Sequence, residues 1–178
     1  MPDAIVVVLR LTAWALLWGM GGWWLARNAF LLKPSEQLLT GLGLGLLLQN
    51  WLANLLGRWL EVPLACWLAA GLVFLAGARA NLVSQKPQNW RGWLAVPIRP
   101  WHPILLLGLT VIFTQVGRGL AIFDDYQNLP VASFLAAGDI PPHFPLDPEV
   151  TFGYHYGGLL FTAQLMRIMD LPPWPAID

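Results

Sequence analysis

Long apolar runs separated by short polar or proline-bearing breaks dominate the chain, and their lengths set the expected elements. Four runs come first: Ala4 to Ala26, Leu38 to Leu60, Pro63 to Ala78 and Pro103 to Phe123. A helix needs ~20 mostly apolar residues to cross the hydrocarbon core of a bilayer, so each run predicts a spanning helix. A fifth, Phe152 to Leu171, is shorter in its strictly apolar part and carries Gln164 and Arg167; it is also expected to span. Between the fourth and fifth, Tyr126 to Ala137 mixes apolar and small residues and stops at Gly138, a natural helix terminator. This pattern predicts a short amphipathic helix in the membrane interface, with Pro130 tolerated in its first turn and Phe134 and Leu135 turned toward the acyl region. The run IPPHFPLDP (140 to 148) is too rich in proline for regular structure. Pro87, Pro97 and Pro100 likewise break Asn81 to His102 into a loop expected along the inner surface.

The expected fold is therefore all-α. It is a polytopic transmembrane helical bundle of about five membrane helices with an extracytoplasmic loop that carries a short amphipathic helix. Three regions follow: helices 1 to 4 in 1–121, an acidic outer loop in 122–151, and the fifth helix with a truncated end in 152–178. The three glycines Gly41, Gly43 and Gly45 fit either close helix contact in a bilayer or the ordinary tolerance of membrane helices for glycine.

Composition narrows the class. A hydrophobic fraction of 57% with 11% charged residues excludes an ordinary soluble domain, in which about 25% of residues are charged. Ten basic and ten acidic residues cancel, so no charge excess points to nucleic acid. The lone cysteine, Cys66, cannot form an internal disulfide and has no partner thiol for a metal site. Arg10 inside the first run, without a small-x-small cleavage site, predicts a retained helix and not a signal peptide. The expected location is a bacterial or archaeal inner membrane, crossed several times.

Charge distribution orients the bundle, because cytoplasmic loops are enriched in Lys and Arg. Arg27 and Lys33 follow the first helix; Arg79, Lys86, Arg91 and Arg99 follow the third; the alternate connections hold only Arg58 and Arg118. The fourth helix is thus expected to run outward. It delivers Asp124 and Asp125 to the extracytoplasmic side, together with Asp139, Asp147 and Glu149. Trp23, Trp24, Trp59, Trp90, Trp93 and Trp101 fall near predicted helix ends and read as interfacial anchors.

The adjacent carboxylates of Asp124 and Asp125 carry the chemistry. Two like charges where a membrane helix emerges repel each other and cost desolvation, which points to a proton acceptor or a cation site. As hard oxygen ligands the pair suits magnesium or manganese, but two carboxylates underfill such a site; Asp147, Glu149 or His155 are the residues available to complete it. Arg118, one to two turns earlier, either snorkels to headgroups or serves as counter-ion to a carboxylate or lipid phosphate. His143, among prolines, has no ligand spacing around it and reads as solvent-exposed.

A hydrophobic helix ending in an acidic pair, a short helix closing with Ala-Gly-Asp-Ile-Pro-Pro, and the aromatic entry Tyr154, His155 and Tyr156 together resemble the first outer loop of GT-C type membrane glycosyltransferases. Within that superfamily the segment is most similar to the YYY-type bacterial and archaeal membrane proteins, departing from a pure tyrosine run at His155. The likeness covers about Ile122 to Leu171. It implies a polyprenyl-phosphate-linked sugar donor, with Asp124 or Asp125 as catalytic base and Arg118, Tyr126, Tyr154, His155 and Tyr156 around the substrates. Without the resemblance, the aromatic triplet reads equally as interfacial side chains. Transferases of this kind have many more membrane helices, so the chain is expected to be the N-terminal part of a longer polypeptide or to work with a second subunit. The alternative to an enzyme is a membrane subunit or transport component whose outer loop binds a partner or a cation.

Overall fold

The computed structural model describes residues 4–84, 104, 107–109, 111–112, 128–144, 146–152, 156–173 and 176. Three long helices come first: α1 (Ala4–Ala29), α2 (Pro34–Leu56) and α3 (Val62–Val83). All three are long and apolar enough to cross a membrane, so the chain is a membrane protein by the length and composition of these helices. They coincide with the first three expected spans. Of the fourth, residues 104, 107–109 and 111–112 are helical, and the remainder lies outside the described residues.

Local chemistry explains where these helices start and stop. Pro34 occupies the first turn of α2, where a missing N–H costs nothing, and the Lys33 backbone N–H donates to the Glu36 carboxylate at 3.1 Å. Pro63 plays the same part at the start of α3. Between them the Gly57 N–H donates to the Ala53 carbonyl at 2.8 Å and closes α2, and a five-residue corner, 57–61, reverses the chain.

In the bundle α1 is the middle member, packed on α2 and on α3. Two adjacent glycines allow this. Gly21 lies against the backbone of α3 at Val73 and Gly77, while Gly22 lies against the backbone of α2 at Gly41 and Gly45. Successive helical residues point about 100° apart, so a glycine doublet opens two faces at one level. Gly41 and Gly45 thus make close helix contact, one of the two readings their sequence left open, whereas Gly43 has open space beside it. Outside the seams, Leu9, Leu16, Leu39, Leu47, Leu68 and Leu75 stand exposed, which in a bilayer is the lipid-facing surface.

The remaining elements gather at one end of this bundle. A short helix, α4 (Asn128–Ala137), is followed by an antiparallel hairpin of β1 (His143–Phe144) and β2 (Asp147–Thr151), and then by α5 (Gly157–Met169). The hairpin forms in the segment expected to lack regular structure. Its register pairs His143 with Thr151 and Phe144 with Asp147 across an irregularity. The prolines are accommodated because this sheet has only two strands, each an edge that needs few ladder bonds.

Helix α4 matches the expected short helix with Pro130 in its first turn. It ends in a Schellman turn: the Gly138 N–H donates to Leu135 O at 3.1 Å and the Asp139 N–H to Phe134 O at 3.0 Å, with Gly138 at φ +103. Its burial differs from expectation. Leu135, fully buried with Val131, joins the protein core instead of facing acyl chains, and Phe134 alone of the pair stays partly exposed. The protein itself covers that face: Ile140, just beyond α4, packs over Gly57 in the α2–α3 corner.

Helix α5 departs furthest from the expected fifth span. At 13 residues it is about 20 Å long, too short for a full crossing. It begins with Tyr156 against Asn54, at the C-terminal end of α2, and it finishes with Asp170 against Arg10, near the N-terminal end of α1. Those two ends of α1 and α2 lie on the same side of an antiparallel bundle. Helix α5 therefore crosses the bundle obliquely near one end, stacking Phe161 on Trp14 on the way.

Candidate functional site

Polar groups converge where α5 meets α2. Gln49 and Gln164 are both fully buried, and Gln49 Nε2 donates to Gln164 Oε1 at 2.5 Å. Gln164 Nε2 in turn donates to Asn50 Oδ1 at 2.8 Å, and Asn50 Nδ2 donates to the Gly157 carbonyl at 2.9 Å. Amides inside an apolar bundle are costly unless paired, so this chain of bonds fixes how α5 sits. One turn along α2, the Tyr156 hydroxyl donates to Asn54 Oδ1 at 3.0 Å.

These groups border an open cleft of about 340 Å³ whose walls include Asn50, Asn54, Trp51 and Tyr156, with Leu47 and Leu160 as apolar surface. Among the described residues none that lines it is an acid, lysine, arginine or histidine. A second cleft, about 460 Å³, runs along the outside of α1 and α2 from Leu11 to Trp23 and is almost wholly apolar.

The loop beyond α4 holds a carboxylate–imidazole pair. Asp139 Oδ1 lies 2.6 Å from His143 Nδ1, and Asp139 Oδ2 accepts the His143 backbone N–H at 2.7 Å. A cis peptide bond joins Ile140 and Pro141 within this turn. His143 is thus oriented by a carboxylate and is not a free surface side chain. Asp147 and Glu149 are exposed on β2, and the Glu149 N–H donates to Asp147 Oδ1 at 3.3 Å. Among the described residues no three of His, Cys, Asp or Glu come together as a metal site.

Of the residues singled out by sequence, Tyr156 is placed, at the cleft and bonded to Asn54. Asp124, Asp125, Arg118, Tyr126, Tyr154 and His155 lie outside the described residues. Sequence reasoning passed over Gln49, Asn50, Asn54 and Trp51. The signal was present: three carboxamides fall within six positions of a spanning helix, and polar side chains in such helices turn toward the protein interior or a cavity. Compared with family models, curated proteins and solved structures, the chain finds no match.

Proposed function

We propose that the chain is the N-terminal part of an integral membrane glycosyltransferase that takes sugar from a polyprenyl-phosphate-linked donor on the extracytoplasmic side of the membrane. One observation supports this reading above others. Helix α4, the hairpin and α5 gather at a single end of the bundle, where α2 and the start of α5 border a polar cleft with no charged group among its described lining residues, and Asp124 and Asp125 precede α4 by only a few residues in sequence. In this reading residues 103–123 form a fourth crossing, while α5 is an oblique helix of the outer half of the bilayer and not a fifth.

Asp124 or Asp125 acts as general base. It accepts the proton of the acceptor hydroxyl as that oxygen bonds to the anomeric carbon, and the lipid phosphate departs with the electrons of the broken glycosidic bond from the opposite face. A carboxylate beside a second carboxylate binds its proton more tightly than one alone, which strengthens it as a base. Arg118 supplies positive charge for the departing phosphate, and Tyr126, Tyr154, His155 and Tyr156 border the substrates. Magnesium or manganese held by the aspartates would supply charge neutralisation at the phosphate in place of part of the arginine's role.

The test is transfer from a polyprenyl-phosphate sugar by the protein in membranes. Asp124→Asn or Asp125→Asn is expected to lower the rate by about 10² or more, the range typical of a lost general base. Unaltered rates in both variants would show the catalytic reading to be wrong.

A further inference from the structure

The cleft between α2 and the start of α5 has a composition that selects among ligands. Among the described residues its lining contains no cation to offset a phosphate or carboxylate, and no anion to hold an amine. What it offers is a mixed surface: carboxamides and a phenol on one side, an indole and two leucines on the other. An acyl chain would fill the apolar part and offer no acceptor to Asn54 Nδ2 and no donor to the Tyr156 oxygen, at a cost that a hydroxylated molecule avoids.

The polar side is held in place before any ligand arrives. Asn50 is fixed by two hydrogen bonds, to Gln164 and to the Gly157 carbonyl, and behind it Gln49 is fully buried. The Asn54 amide is oriented by Tyr156, so its Nδ2 is free of partners among the described residues and available to donate. The Tyr156 oxygen, having donated to Asn54, still accepts. Asn50 and Asn54 stand one helical turn apart, about 5–6 Å between Cβ atoms, which is comparable to the span of a six-membered ring. Trp51 is 61% exposed and presents its ring at the same cleft. The face of an indole is electron-rich and attracts the polarised C–H groups of a sugar face, while the hydroxyls at the ring edge reach the amides. At about 340 Å³ the space is at the small end of ligand sites, suited to one ring with its substituents.

We propose that this cleft binds a single uncharged pyranose ring at the membrane boundary. The inference deepens the proposed transfer reaction by giving its sugar a specific subsite, and to that extent rests on it. The ring arrives either on a lipid, from within the bilayer, or on a soluble glycan, from the water.

Saturation-transfer NMR on the full chain in lipid nanodiscs tests it, with two sets of probes. Methyl glycosides of glucose, galactose, mannose and N-acetylglucosamine report entry from water; the corresponding octyl glycosides, below their micellar concentration, report entry from the bilayer. Ring-proton signal is expected from at least one sugar in one set, and which set responds identifies the source. Trp51→Ala, which removes an exposed ring, and Asn54→Leu are each expected to weaken binding about tenfold, as the loss of one good contact does. Trp59→Ala, which removes an even more exposed tryptophan in the α2–α3 corner, is expected to leave it unchanged. Circular dichroism of each variant confirms the fold. Absence of ring signal above the Trp51→Ala background for every probe overturns the proposal, and so does displacement of the signal by equimolar inorganic phosphate. Sugar bound at the cleft by a protein that transfers none would sink the catalytic reading and keep the subsite; transfer at full rate by Trp51→Ala and Asn54→Leu would do the reverse.

Discussion

Gly22 of α1 and Gly45 of α2 meet backbone to backbone, with no room for a side chain on either. A methyl group on Gly22 would collide with the main chain of Gly41 and Gly45, which cannot rotate aside as a flexible side chain would. Gly22→Ala is therefore expected to part α1 from α2 and cost about 2 kcal/mol or more, the range for overpacking against rigid neighbours. Gly43→Ala, facing open space, is expected to be neutral or to gain up to about 1 kcal/mol from helix propensity. Reversible unfolding in bicelles with increasing dodecyl sulfate measures both; equal effects would mean the glycine seam is not a close contact.

The amide chain makes a second prediction. Gln164→Leu leaves both Gln49 Nε2 and Asn50 Oδ1 without their partner, and Gln49 is fully buried. A loss of about 1–2 kcal/mol is expected. Adding Gln49→Leu removes the stranded amide, so the double variant should be more stable than the Gln164→Leu single. A strictly additive double-mutant cycle would show that the two side chains do not interact.

The course of α5 can be checked by labelling. Cys66 is buried in α3 and does not compete for an impermeant thiol reagent. Glu149→Cys on the hairpin and Arg167→Cys near the end of α5 are expected to react from the same side of the membrane, and Lys33→Cys from the other. A helix α5 that crosses would put Arg167→Cys with Lys33→Cys instead.

Asp170 has two separable roles. It is the left-handed residue that ends α5, at φ 52 and ψ 39, and its carboxylate pairs with Arg10 at 2.8 Å. Asp170→Gly keeps the backbone conformation at no steric cost and loses only a solvent-exposed ion pair, about 0.5 kcal/mol. Asp170→Ala loses the pair and strains the turn, and is expected to be about 1 kcal/mol worse than Asp170→Gly by the same unfolding measurement. Equal stabilities would show that the left-handed turn opens at no cost.

Asp139 closes the turn before β1 through two bonds to His143. Asp139→Ala is expected to raise amide exchange in 143–151 by about fivefold, the consequence of about 1 kcal/mol of lost hydrogen bonding. Exchange in α2 should stay as it was.

Apolar length alone made α1, α2 and α3 legible, because a run of that length in water or lipid has few other fates. Residues 128–138 were legible too, since Pro130 and Gly138 punctuate them. Which face of α4 is buried was not, because most of the core that Leu135 joins is distant in sequence and leaves no local periodicity. The course of α5 was hidden for a similar reason. Gln164 and Arg167 reveal that the segment is not uniformly apolar, but only Gln49 and Asn50, the partners of Gln164, and Trp14, which stacks on Phe161, show that it lies across the bundle. The hairpin was obscured by prolines, whose exclusion from sheets holds for central strands and not for an isolated pair. For the cleft, Tyr156 was found through the aromatic triplet, while Asn50, Asn54 and Trp51 became visible as a group only through the helix face they share.

Gly21 and Gly22 sit at one level of α1 and lock it to both neighbours. Turning or sliding α1 to loosen one seam drives side chains of the other into backbone, so the two joints cannot relax in turn. The three long helices are thereby geared into a single body. Any motion that admits a ligand at the loop end must be taken up by α4, the hairpin and α5, whose ties to that body are side-chain packing, amide hydrogen bonds and an ion pair, all of which rearrange more readily than interlocked main chains.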